Sequence, residues 1–171
     1  FYGLESYQVI ANYYFNGGSL FSMVAFKLGN TLSNYGAVAR GLCTVKDGLL
    51  DTVIETGGLK ETQGEILSDR DIKLNGVEPV SMNVWGFTPD LFGYLRSMFE
   101  DFLKEEGQKM KSEYLIPSVV NNLIQARTKE VQVLKTGSKW FGVTYKEDKP
   151  LVTNQIRRLV DEGVYPKKIF E

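Results

Sequence analysis

Four short stretches of the 171-residue chain carry side chains whose type and setting could do chemistry. In the first, Arg40 stands beside Gly41 at the start of an apolar run. It reads either as a solvated hairpin arginine or as a guanidinium that positions a phosphate or a loop. In the second, Glu55 ends a strand just before a polar segment, so it is either a solvated strand end or a carboxylate turned to a ligand. In the third, Asn83 interrupts the otherwise apolar Val80 to Phe87. An amide buried there must satisfy two donors and an acceptor, as a structural group or against a polar ligand. Trp85 in the same run either stacks on a ligand ring or belongs to the core. In the fourth, Asp148 follows a strand and precedes a helix, where it is either a helix cap or a carboxylate at a strand's carboxyl end.

What is missing narrows the chemistry further. The chain has no histidine, which excludes imidazole-based nucleophile activation, histidine acid-base catalysis and histidine-ligated zinc. Carboxylate, lysine, hydroxyl and backbone chemistry remain. Cys43 is the single cysteine, so no internal disulfide or paired-cysteine metal site exists, and a reduced, cytoplasmic setting is expected. Twenty Lys and Arg balance 21 Asp and Glu to a net charge of -1, without a basic cluster. That argues against binding nucleic acid by phosphate neutralisation. No apolar run approaches the roughly 20 residues of a membrane span, so no membrane partner is expected.

These side chains need elements to hold them. Apolar spacing near 3.6 residues predicts helices over 4–15, from Thr88-Pro89-Asp90 onward, from Pro117, and over about 150–162 with Gly163 closing the last. The second has the apolar face Leu91, Phe92, Leu95, Met98, Phe99, Phe102 and Leu103, and so is expected to pack on a sheet. Strands are predicted over 19–28, 38–46, 49–55, 80–87, 131–134 and 140–144, with Asp47-Gly48 as a two-residue hairpin turn. Residues 56–76 are polar, with three glycines at 57, 58 and 64, and read as a flexible excursion from the sheet. The switching period points to one α/β domain, or part of one, over residues 1–171: a mixed, mostly parallel sheet with flanking helices.

Seven segments, in order, resemble the second half of sugar-1-phosphate nucleotidyltransferases of the broad MobA-like and UDP-N-acetylglucosamine pyrophosphorylase-like superfamily. They are Phe1-Tyr2-Gly3, Leu28 to Ser33, Arg40-Gly41, Glu55, Val80-Ser81-Met82-Asn83-Val84-Trp85-Gly86-Phe87, Lys111 to Pro117, and Trp140 to Asp148. The resemblance spans nearly the whole chain, and the Val80 to Phe87 and Trp140 to Asp148 segments are its most specific parts. It implies a Rossmann-like fold and an enzyme that joins an NTP and a sugar-1-phosphate into an NDP-sugar and pyrophosphate. Magnesium, Lys and Arg would carry the charge, so no imidazole is needed.

By the same resemblance Glu55 and Asn83 contact the sugar, Glu113-Tyr114 supports them, and Thr144 and Asp148 lie near phosphates and Mg2+. Arg40 and Lys146 serve the phosphates or a loop. Family members carry a Gly-rich nucleotide loop and a magnesium aspartate before the position of Phe1. Their absence here implies the sugar-binding C-terminal part of a longer enzyme, inactive alone, with an oligomer possible. A non-catalytic sugar-phosphate-binding or regulatory module on the same scaffold is the alternative.

Overall fold

The computed structural model describes residues 1–168. Its elements are α1 (Leu4–Phe15), β1 (Phe21–Lys27), β2 (Val38–Lys46), β3 (Leu49–Thr62), β4 (Glu65–Leu67), β5 (Pro79–Gly86), α2 (Leu91–Glu106), α3 (Ile116–Gln125), β6 (Val131–Lys135) and α4 (Asp148–Asp161).

The strand pairing overturns the expected Rossmann-like, mostly parallel sheet. The sheet runs β2-β5-β1-β6-β3-β4, and β2 also pairs with β3, so five strands close into a mixed barrel with β4 outside it. Among the described residues only β1 with β6 is parallel. The other pairings are antiparallel.

Connectivity explains the difference. A parallel neighbour needs a crossover of a dozen or more residues, usually a helix. Here β1 to β5 follow one another with no α-helix between them. The β2–β3 connection is Asp47-Gly48 alone, both residues at positive φ (51° and 81°), and so tight a turn can only join antiparallel strands. Alternating period identified helices and strands, but not their order in the sheet.

β1 is buried along nearly its whole length, and its side chains divide between two cores. Phe21 and Met23 pack with Cys43, Val53, Val120 and Val133, beneath α2 and α3. Val24 and Phe26 pack with Leu28, Leu59, Val80 and Val84, and Val9 and Ile10 of α1 lie against them. Fully buried aliphatic side chains of this size each contribute about 1.5–3 kcal/mol, which makes β1 the strand on which the others are registered.

Four local expectations change. Residues 56–76 carry regular structure: β3 runs on to Thr62 and turns at Gln63-Gly64 into β4. The Asp69 carboxylate accepts from the Gly57 amide at 3.0 Å, and Arg70 donates to the Thr56 hydroxyl at 3.2 Å. Residues 140–144 form no strand. They are held instead by the Phe1–Phe141 stack, with centroids 4.3 Å apart, and by Trp140 over Arg40. The helix expected from Thr88 starts at Leu91, because the Thr88 hydroxyl bonds the Asp90 carboxylate instead of capping backbone amides. On that helix Leu91, Leu95 and Met98 meet the core as expected, whereas Phe92 is 73% exposed. No helix among the described residues is long and apolar enough to cross a membrane.

Candidate functional site

Register across three strands builds the site. Gly41 on β2 is paired with Glu55 on β3 and with Ser81 on β5, so one row crosses the sheet as Glu55, Gly41, Ser81. Cross-strand partners share a face. Because the middle residue has no side chain, a depression of about 200 Å³ opens there, lined by Tyr2, Arg40, Gly41, Glu55, Ser81 and Asn83 among others. A Cβ on Gly41 would sit 3.1 Å from Val53 Cγ2 and 3.2 Å from Ser81 Cβ, so glycine is what keeps the row open.

Asn83 reaches this depression through an irregularity. β1 and β5 slip register between Met23 and Ala25, so that β5 bulges opposite Val24. Asn83 lies in the bulge with φ at +61°. Asparagine tolerates that left-handed conformation better than most residues, and bulges redirect side chains. The buried amide anticipated from the apolar run is therefore solvent-facing. The Asn83 backbone N–H donates to Ser81 Oγ at 3.2 Å, and its side-chain Oδ1 accepts from Trp85 Nε1 at 3.3 Å. Trp85 itself stacks on Phe87 at 5.8 Å and packs against the core.

Arg40 is the electrostatic centre. It is only 8% exposed, yet its guanidinium donates to two neutral acceptors, the Ala39 carbonyl at 2.7 Å and the Thr31 carbonyl. Its Nε is buried without a partner. It forms no ion pair among the described residues. Its guanidinium lies 5.0 Å from the Trp140 ring centroid, a cation–π contact. Burial lowers its pKa from the ordinary arginine value, and the nearby Glu55 charge acts in the opposite direction. Burial likewise raises the Glu55 pKa, with Arg40 opposing the rise and Glu113 adding to it.

Arg40 is also the wall shared with a second cavity of about 220 Å³, lined by Asn30, Ser33, Lys139, Trp140, Thr144 and Asp148 among others. The structure thus brings Arg40, Glu55 and Asn83 to one depression and Arg40, Thr144 and Asp148 to the next. Glu113 is exposed on the connection between α2 and α3 and lines a separate groove with Tyr114, close enough for its charge to reach Glu55. Tyr114 fastens that connection, donating to the Leu95 carbonyl at 3.1 Å. Lys146 is exposed and lines neither cavity, whereas Lys139, which sequence reasoning passed over, lines the second. Its place just before the strand expected over 140–144 held no signal of that role.

Asp148 begins α4 and is buried. Its Oδ2 accepts from the Thr144 and Tyr145 amides at 3.1 and 2.7 Å, and its Oδ1 accepts from Ser33 Oγ at 3.3 Å. A carboxylate so placed fastens the 144–147 turn to the loop after β1, and it makes no capping bond to the amides of α4. No cluster of three or more acidic or cysteine side chains suited to a metal occurs among the described residues. The chain matches no family model, and no curated protein is found to be similar to it.

Proposed function

We propose that this chain binds a sugar-1-phosphate and forms the sugar-phosphate-binding part of a nucleotidyltransferase that makes an NDP-sugar from an NTP. One observation carries the reading: Arg40, Glu55 and Asn83, from three different strands, converge on one polar depression. A sugar ring offers hydroxyls that donate to a carboxylate and accept from an amide, the roles of Glu55 and Asn83. The phosphate offers the anion that the buried, unpaired Arg40 lacks. Lys139 stands on the far side of Arg40, in the adjoining cavity.

In this reading the chain's own contribution to catalysis is placement. Holding the sugar at the Glu55–Gly41–Ser81 row fixes the direction of its phosphate, and Arg40 offsets negative charge as that phosphate approaches the NTP. Magnesium would supply further charge neutralisation in the complete reaction.

The test is steady-state kinetics of the protein that carries this chain, measuring pyrophosphate release across a panel of NTPs and hexose-1-phosphates. Asn83→Ala is expected to raise KM for the sugar phosphate about tenfold, the order of one lost hydrogen bond to a ligand, while KM for the nucleotide stays put. Equal effects on both substrates refute the role given to Asn83. Absence of pyrophosphate release with every pair refutes the transferase reading, and retained sugar-phosphate binding would then leave a binding module.

A further inference from the structure

We propose that α2 is the contact face of a homodimer, in which two copies pack this helix antiparallel across a two-fold axis near position 98. The face is apolar and largely uncovered in the monomer: Phe92 is 73% exposed, Leu103 49%, and Phe99, whose ring also leans on Phe102 and Tyr114, 42%. These residues are spaced seven and four positions apart and so form one stripe, with Arg96 and Glu100 beside it. Neither Arg96 nor Glu100 is in an ion pair among the described residues, although they stand four apart on the same helix.

The charges select the partner. In an antiparallel pair centred near position 98, Arg96 of each copy faces Glu100 of the other, and the pairing repeats by symmetry. A self-complementary patch of this kind is what a two-fold interface requires. The same register sets Leu103 of one copy against Gly93 of the other.

Gly93 is the second, independent observation. It lies inside the first turns of α2, where glycine is a poor helix former, and its φ is not positive. A Cβ placed on it would meet nothing within 4 Å. The monomer therefore gives no packing or conformational reason for glycine there, whereas close approach of a second helix gives one. One helix pair makes a small interface, so the dimer is expected to be weak and concentration-dependent.

Sedimentation equilibrium of the chain from micromolar to millimolar concentration tests this. A monomer–dimer equilibrium is expected. Arg96→Glu or Glu100→Arg alone should weaken it about tenfold, the sum of two modest ion pairs turned repulsive, and the double variant should restore it. Gly93→Leu should also weaken it at least tenfold while the far-UV circular dichroism of the monomer is kept, because the added side chain enters open space and favours helix. A monomer at every concentration, failure of the charge swap to restore association, or full dimerisation of Gly93→Leu would each overturn the proposal.

Discussion

The two ends of the sheet carry cavities of opposite character. At one end lies the depression of about 200 Å³ between Arg40, Glu55 and Asn83. At the other, around the β2–β3 turn and the chain entering β6, lies a cavity about three times larger, about 610 Å³, lined by Lys46, Asp51, Arg127 and Lys129 among others. In the larger one both lysines are answered. Lys46 pairs with Asp51 at 3.0 Å, and Lys129 pairs with Asp90 while lying over Phe21 and Tyr94. In the smaller one a buried guanidinium has an orphan nitrogen, whereas positive φ occurs at both ends, at Asn83 here and at Asp47 and Arg127 there. Volume measures how much could enter, whereas a buried charge left without a full set of partners marks where the fold has left something for a ligand to complete.

The largest expected effect breaks the smaller site. Arg40→Met should lower affinity for a hexose-1-phosphate about a hundredfold, as loss of a charged hydrogen bond costs up to about 3 kcal/mol. Lys129→Met at the other end should leave that affinity unchanged. Titration calorimetry on both variants checks the contrast, and equal losses would erase it.

Next comes strain. Asn83→Gly should raise stability by up to about 1 kcal/mol, because glycine adopts positive φ without a Cβ penalty, while removing the amide weakens sugar-phosphate binding. Chemical denaturation and titration read the two opposite signs. At the far end Lys46→Ala should shift stability by less than about 1 kcal/mol, since an exposed ion pair contributes little, and should not touch binding.

The smallest effect is the pH dependence of Glu55. Its folded pKa is raised, chiefly by burial, so the folded protein holds that proton more tightly than the unfolded chain. The group's contribution is therefore fully present below the unfolded value near 4.5 and is lost as pH rises through the folded pKa. Wild type should lose stability relative to Glu55→Gln over that rise, measured by denaturation at a series of pH values. Parallel profiles for the two proteins would remove Glu55 from the account.

Much of the site was legible in the sequence for reasons the structure makes physical. Asp47-Gly48 set the β2–β3 hairpin, and that hairpin brings Arg40-Gly41 opposite Glu55-Thr56. Asn83 stood out as a polar break in an apolar run because it occupies a bulge. The barrel was not legible, since closure depends on which edges meet, and β3 joins β6 at the single pair Leu49 and Gln132. Period distinguishes strands from helices without ordering them. Lys139 was invisible because its position comes from the Phe1–Phe141 stack, a contact between residues 140 apart.

Association of sugar phosphate with the row at Gly41 is the central claim, and calorimetric titration of the chain against a panel of hexose-1-phosphates, the parent hexoses and inorganic phosphate tests it most directly. The account predicts saturable binding of at least one hexose-1-phosphate, tighter than its hexose or phosphate alone, and weakened in both Arg40→Met and Asn83→Ala. Binding that is unchanged in both variants, or no preference for the joined sugar and phosphate, would contradict it.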